Sequence, residues 1–144
     1  MKTFITTILA AFILTSSSAF ATTAEKAKRS TVAAINRTLD LYTDAVSKGQ
    51  VAAIDQLFSE QFHQRITGTK NTFVFNKEQL VGFLKKRKNI QEQCETNYSI
   101  VDENNGMAIA KVEMKYGTFS RVDYITISQN GKGYQISQIV STFK

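Results

Sequence analysis

Two charged residues on one predicted strand are the strongest candidates for chemistry in this sequence. The stretch FSRVDYITIS, residues 119–128, alternates between apolar and polar residues as a half-buried β-strand does. Alternation places Phe119, Ile125 and Ile127 towards a core, and it places Arg121 and Asp123 on that same face. A buried carboxylate must be paired or protonated, so these charges need a partner, a ligand or a reaction.

Three interpretations of Arg121 and Asp123 stay open. The first is a structural ion pair along one strand, the second is a polar anchor in a ligand cavity, and the third is a catalytic acid. Perturbed ionisable groups occur in structural ion pairs and in functional sites alike, so residue type does not decide among the three. Tyr42, on the apolar face of a predicted helix, has a core interpretation as well, with its hydroxyl reaching one partner.

The strands beside 119–128 determine what surrounds the two charges. Turn positions and matching apolar faces set the register. A tight turn at Gly117 predicts the pairs Tyr116 with Phe119, Met114 with Arg121, Val112 with Asp123 and Ala110 with Ile125. A three-residue loop at 104–106 predicts that Cys94, Thr96, Tyr98 and Ile100 face inward as well. A two-residue turn at Asn130 and Gly131 predicts Gln138 opposite Asp123, unless a bulge intervenes.

Helical periodicity dominates the first half of the chain. Apolar residues spaced by three and four predict a helix over 32–46, with Gly49 as its stop. A short second helix follows over 51–58. Asn76 and Gln79 form a capping-box pattern that begins a third helix, whose apolar side is Leu80, Phe83 and Leu84.

Strand patterns dominate the second half. The predicted strands are 62–67, 72–75, 92–103, 107–116, 118–129 and 133–143. Turn signals at 104–106, 117 and 130–133 separate the last four strands. Strands gathered after helices indicate an α+β fold with an antiparallel sheet.

The N-terminus has the pattern of a secretory signal peptide. Lys2 precedes an apolar run over 4–14 that is too short to span a bilayer, and Ala19-Phe20-Ala21 is an A-x-A cleavage site. We expect cleavage after Ala21, a mature single domain over 22–144, and a secreted or periplasmic location without stable membrane insertion. The alternative is an uncleaved N-terminal anchor.

Other reactive residue types carry weaker signals. Cys94 and His63 are the only residues of their kinds, so no internal disulfide forms, and no spacing suggests a metal site. We expect no metal and no cofactor. A Cys/His nucleophile is the less favoured interpretation, because no local signature accompanies either residue.

Charge and surface patterning bear on partners. The chain carries a net charge of +6, and Lys85-Lys86-Arg87-Lys88 falls at the predicted end of the third helix. Cations stabilise a helix C-terminus, and no aromatic residues interleave this run, so we expect no nucleic-acid binding. The outer sheet face is half apolar, a pattern that can mark an interface. Its apolar members are Met107, Ile109, Val122 and Tyr124.

Two long segments resemble a known superfamily. LYTDAVSKGQVAAIDQLFSEQF is similar to the opening of the cone-shaped nuclear-transport-factor-two-like fold, which includes ketosteroid isomerases, SnoaL-like cyclases and the "putative lumazine-binding" proteins. RVDYITISQNGKGYQISQIVSTF resembles the last hairpin of that lumazine-binding branch. The resemblance implies a curved antiparallel sheet wrapped around three helices, and a homodimer through the outer sheet face.

The comparison with ketosteroid isomerases is incomplete. In those enzymes a helix Tyr and a late-strand Asp form an oxyanion hole, and the resemblance places these on Tyr42 and Asp123. The position of the general base falls on Ile66, which cannot move a proton, and Gln64 and Thr67 are no better. Arg121 has no counterpart there and favours an ionised Asp123, which could not donate to an oxyanion.

We therefore expect a non-catalytic protein that binds a small, largely apolar or aromatic molecule. The candidate lining residues are Tyr42, Phe62, Ile66, Phe73, Phe75, Tyr98, Met114, Tyr116, Phe119, Arg121 and Asp123. An isomerase, dehydratase or cyclase that uses Tyr42 and Asp123 on a carbonyl substrate is the first alternative. An interaction module whose cavity is filled by its own aromatic residues is the second alternative.

Overall fold

The computed structural model describes residues 18–68, 70–104 and 106–144. Three helices and six strands follow one another in the order α1, α2, β1, β2, α3, β3, β4, β5 and β6. Their bounds are α1 Ser18–Lys48, α2 Ile54–Leu57, β1 Phe58–Thr67, β2 Thr72–Asn76, α3 Lys77–Lys86, β3 Glu95–Asn104, β4 Met107–Lys115, β5 Ser120–Asn130 and β6 Gly133–Phe143.

The first helix is longer than its apolar pattern predicted. It starts at Ser18, and residues 22–30 are all exposed, which explains why that part shows no apolar periodicity. The packed part begins near Ile35, which is buried, and the helix ends at Lys48. Gly49 then takes a φ of +64°, and a Cβ there would lie 2.5 Å from the Arg87 carbonyl oxygen. Only glycine fits this stop.

All six strands form one curved sheet in the order β2-β1-β6-β5-β4-β3. Four of the five strand pairs are antiparallel, as predicted, but β1 and β6 are parallel neighbours. Nearly the whole domain lies between these two strands in sequence, so the connection is long enough for parallel pairing. The α+β cone expected from the resemblance is therefore the observed fold.

The helices cover the inner face of the sheet and bury its apolar side chains. α3 begins with the predicted capping box, in which the Asn76 side chain accepts from the Gln79 backbone and the Gln79 side chain accepts from the Asn76 backbone. Leu80, Val81 and Leu84 of α3 are buried, whereas Phe83, predicted on the same side, is 54% exposed.

The predicted register between β4 and β5 is confirmed. Arg121 lies opposite Met114 and Asp123 opposite Val112, and Ile125 and Ile127 are fully buried on the same face. Phe119 departs from the prediction that it faces the core, since it is 44% exposed. It precedes β5 and stacks instead on Tyr116, with ring centroids 4.5 Å apart.

In the hairpin between β3 and β4, the predicted residues face inward, but the turn differs from the predicted one. Asn104 pairs with Met107, so the turn is one residue tighter than predicted. A bulge between Ile100 and Asp102 restores the register, and the three inward strand residues predicted on β3 face the residues of β4 that line the core. The pairs are Thr96 with Met114, Tyr98 with Val112 and Ile100 with Ala110.

The prediction for the last hairpin was wrong. Ser141, not Gln138, lies opposite Asp123. The turn is formed by Gly131 and Lys132, because Asn130 pairs with Gly133, and the register shifts again between Thr126 and Ile127. These two changes displace the pairing by three residues and replace a predicted amide with a hydroxyl.

Most of the predicted signal peptide lies outside the described residues. Ser18 to Ala21, its last four residues, continue the backbone of α1. Within the described part of the chain, no helix is both long enough and apolar enough to cross a membrane.

Candidate functional site

Tyr42, Arg121 and Asp123 form one hydrogen-bonded triad at the centre of the domain. The Tyr42 hydroxyl donates to Asp123 Oδ2 at 2.7 Å, and Arg121 Nε donates to Asp123 Oδ1 at 2.9 Å. Arg121 Nη2 also donates to the Tyr42 hydroxyl oxygen at 3.2 Å. Tyr42 and Asp123 are fully buried, whereas the Arg121 side chain remains 20% exposed. The triad therefore has a buried acidic end and an accessible basic end.

The electrostatics of the triad hold its protons in place. Burial raises the pKa of Tyr42 well above its ordinary value, and the adjacent Asp123 adds to that effect while Arg121 opposes it. Burial would lower the pKa of Arg121, but Tyr42 and Asp123 outweigh it and raise that pKa. The phenol thus stays neutral and the guanidinium stays charged at physiological pH.

A second polar pair lies beside the triad on the inner face. Gln64 Nε2 donates to Ser141 Oγ at 2.9 Å, and both residues are buried. Ser141 is the residue opposite Asp123, and it also lies beside Ile66 across the parallel pairing of β6 with β1. No buried side-chain nitrogen or oxygen among the described residues lacks a hydrogen-bond partner. The buried polar atoms of the triad and of the Gln64–Ser141 pair are therefore all hydrogen-bonded.

A cavity of about 700 Å³ lies next to the triad and the Gln64–Ser141 pair, between α3, β1, β2 and the end of β4. This volume is within the range of small-molecule sites. Arg121 is the member of the triad that lines it. The remaining lining residues are Val46, Gln64, Ile66, Phe75, Glu78, Gln79, Leu80, Gly82, Phe83, Leu84, Lys86, Arg87, Glu92 and Tyr116.

Four of the eleven predicted lining residues share this cavity. They are Ile66, Phe75, Tyr116 and Arg121. Tyr42 and Asp123 lie behind Arg121 in the wall, and Phe62 and Met114 are core residues that do not line the cavity. Phe62 packs on Phe58 with ring centroids 4.6 Å apart. Whether these residues bind a ligand stays a prediction.

Three predicted lining residues lie elsewhere. Phe73 is opposite Ile66 on the edge strand but is 54% exposed, and Phe119 stacks outside the cavity on Tyr116. Tyr98 lines a separate cavity of about 530 Å³ with Asp40, to which its hydroxyl donates at 2.7 Å. Burial and the bond to Asp40 raise the pKa of Tyr98 to about 12. Sharing a face of a curved sheet did not place these side chains in one cavity.

The sequence-based prediction missed several lining residues. Gln64 could have been found, since it alternates with Phe62 and Ile66 on an inward-facing strand. The lining residues on α3 face the cavity because α3 lies over β1. The amphipathic pattern of α3 alone does not predict that position. At the end of α3, Phe83 lies under the guanidinium of Arg87, whose central carbon is 5.5 Å from the ring centroid.

The basic run at the end of α3 is partly neutralised within the chain. Lys85 donates to both carboxylate oxygens of Asp55, and Arg87 forms an ion pair with Glu92. His63 is exposed on the opposite face of β1 from Gln64, and Cys94 is half-buried. No three His, Cys, Asp or Glu side chains in the described ranges converge as metal ligands would.

Comparisons with known proteins agree with this architecture. The sequence profile of the family described as "Putative lumazine-binding" matches residues 30–141. A search of curated proteins found no match. Among solved structures, an NTF-2 like protein of unknown function from Silicibacter pomeroyi is 14% identical, with a TM-score of 0.69 over 81% of this chain and 98% of that one.

Two further structures share the fold. An NTF2-like protein of unknown function from Shewanella baltica is 15% identical, with a TM-score of 0.62 over 78% of this chain and 93% of its own. A DUF3225 family protein of unknown function from Pectobacterium atrosepticum is 19% identical, with a TM-score of 0.62 over 80% and 91% of the two chains. At these identities the likeness shows the fold alone. From the family match over residues 30–141, the chain belongs to the "putative lumazine-binding" family of nuclear-transport-factor-two-like proteins.

Proposed function

We propose that this protein is an exported, non-catalytic binder of a small molecule with a largely apolar body. The site is the cavity of about 700 Å³ beside Arg121. The family description, lumazine binding, makes a bicyclic aromatic compound one member of this ligand class. Small-molecule sites combine apolar surface with polar groups that fix the ligand's orientation, and here Ile66, Phe75 and Leu80 supply apolar surface beside Arg121.

The closed triad is the observation that carries the proposal. The Tyr42 hydroxyl and both Asp123 oxygens are engaged within the triad, at distances of 2.7 to 3.2 Å. An oxyanion hole needs donors aimed at a substrate oxygen. Here the phenol proton is directed at Asp123, and the carboxylate accepts rather than donates. The arrangement favours a static wall over an acid-base pair.

The missing base argues in the same direction. Ile66, which the resemblance matches to the isomerase base, lines the cavity and offers no group that could take a proton. Gln64 lines it too, but its amide is not a base and donates to Ser141. The isomerase alternative therefore lacks a proton acceptor at the expected position.

The open volume argues against a cavity filled by the protein itself. Phe75 and Tyr116 line the space without filling it, and Phe73 and Phe119 lie outside it. An interaction module with a self-filled core would need these rings inside. A bound ligand would instead bury the apolar surface that Phe75 and Tyr116 present to the cavity.

Export and dimerisation are further parts of the proposal. Cleavage after Ala21 would remove the first four residues of α1 and leave the packed part from Ile35 intact. A second copy could cover the outer sheet face, where Tyr124 and Met107 are 45% and 43% exposed. Light scattering at the elution peak tests the dimer, since Tyr124→Glu should yield monomers if this face is the interface.

Blocking the cavity tests the binding function. Ile66→Trp should fill part of the cavity, whereas Val74→Trp adds the same bulk to an exposed position on the other face of the neighbouring strand. Each protein is incubated with a small-molecule extract of its source cells, washed and denatured, and released compounds are identified by mass spectrometry. We expect retention by the wild type and Val74→Trp and loss in Ile66→Trp. Equal retention by all three folded proteins would refute this site.

A further inference from the structure

We infer that the ligand is an aromatic carboxylic acid whose carboxylate is bound by the free end of the Arg121 guanidinium. The inference rests on the proposed function and specifies its ligand class.

The hydrogen bonds of the triad use one edge of the Arg121 guanidinium and leave its end edge available to a ligand. Arg121 Nε donates to Asp123 and Nη2 donates to Tyr42, and these two nitrogens share the side edge of the planar group. The end edge carries one hydrogen of Nη1 and the second hydrogen of Nη2, which lie parallel to each other. The side-chain hydrogen bonds that Arg121 forms with described residues use Nε and Nη2 and do not use Nη1. Two parallel N–H groups on one edge are the arrangement that binds a carboxylate bidentately.

The buried acid fixes the orientation of this edge. Asp123 is fully buried and Tyr42 is fully buried, so the two groups that hold Arg121 are not accessible to a ligand. Arg121 keeps 20% of its side-chain surface exposed and lines the cavity. A ligand therefore meets the cationic member of the ion pair, already oriented, and loses little side-chain entropy on binding.

The rest of the cavity matches a flat apolar body. The rings of Phe75 and Tyr116 and the side chains of Ile66 and Leu80 line the space beyond Arg121. Aromatic rings favour other aromatic rings in stacked or edge-to-face contact. At the rim, Glu92 is paired with Arg87, and Lys86 and Glu78 balance each other in charge, which leaves Arg121 as the cation that meets an acidic ligand.

A matched pair of probes tests the inference without any mutation. Naphthoate and naphthamide have nearly the same shape, and only the first carries a charge. Titration calorimetry of the wild type should give at least ~10-fold tighter binding of naphthoate, as charge-assisted bidentate bonds are about twice as strong as neutral ones. Added salt should weaken naphthoate binding more than naphthamide binding.

Variants connect that preference to Arg121. Arg121→Gln combined with Asp123→Asn removes both charges together, so no lone buried charge is left to unfold the protein. This double variant should bind the two probes equally, whereas Arg65→Gln, on the outer face, should keep the preference. Equal binding of both probes by the wild type, abolished in Ile66→Trp, would overturn the carboxylate inference and leave the proposed function standing. No binding of either probe by the wild type would count against both.

Discussion

Tyr42 and Asp123 lie 81 positions apart in the sequence and join through a fully buried hydrogen bond of 2.7 Å. The bond connects the first helix to the fifth strand across the core. Arg121 closes the group from the cavity side. The buried polar atoms of this network are all paired, which fixes a single packing arrangement, and disturbing one member leaves the others unpaired.

Tyr42→Phe should destabilise the protein without changing its fold. The substitution keeps the ring, which packs edge-on against Phe58 at 6.5 Å, and removes the proton given to Asp123. Leaving a buried acceptor short of a donor costs about 1–3 kcal/mol. Urea denaturation measures the loss in the free energy of unfolding. Thr72→Val, which removes a hydroxyl at an exposed position, should change it by less than ~0.5 kcal/mol, and an equal effect of both variants would refute this role of Tyr42.

Asp123→Asn should cost more than the double change that also removes Arg121. The single variant leaves the largely buried guanidinium without its counter-ion, and breaking a buried pair in this way costs about 3–5 kcal/mol. Arg121→Gln with Asp123→Asn removes both charges and should recover part of that loss. A double-mutant cycle from denaturation curves measures the coupling. Additive effects of the two single variants would show that they do not form a coupled pair.

Stability should fall at alkaline pH because of Tyr42. Its pKa is raised by burial and by Asp123, so the folded protein keeps the phenol proton at pH values where the unfolded chain releases it. The contribution is fully present below the unfolded pKa of about 10 and is lost as pH rises through the folded pKa. The raised pKa values of Tyr98 and Tyr116 act in the same direction. Unfolding curves above pH 10 should show a shallower decline for Tyr42→Phe, and parallel declines would contradict the assignment.

Gly49 and Gly82 should respond in opposite ways to alanine. At Gly49 the φ of +64° and the Arg87 carbonyl oxygen 2.5 Å from a new Cβ make the change destabilising by more than about 1 kcal/mol. Gly82 is inside α3, where a Cβ meets nothing within 4 Å, so alanine should stabilise by about 0.5–1 kcal/mol. Melting temperatures check the signs. A stabilising effect of Gly49→Ala would mean that the loop after α1 is not packed on the end of α3.

The local elements and one hairpin could be predicted from the sequence. The capping box at Asn76, the stop at Gly49 and the turn at Gly117 are short-range signals, and each acts within a few residues. The turn at Gly117 alone fixed the neighbours of Arg121 and Asp123, because register follows from one closed turn.

The predictions that were wrong depended on contacts between residues far apart in the sequence. The bulge between Thr126 and Ile127 moved Gln138 away from Asp123, and no residue pattern announced it. Tyr98 shares an inner face with Val112 yet opens into another cavity, because α1 divides the space over the sheet. The cavity itself depends on where α3 lies, and the apolar pattern of α3 gives its buried side without its position.

Native mass spectrometry of the protein purified from its own organism tests the central claim most directly. Wild type and Arg65→Gln should each carry a small molecule that is absent from Arg121→Gln/Asp123→Asn, since Arg65 lies on the outer face and Arg121 lines the cavity. The binding function would be contradicted if folded wild-type protein were detected only at the mass of the polypeptide alone. If the triad variants were then merely less stable, the triad would be a structural element.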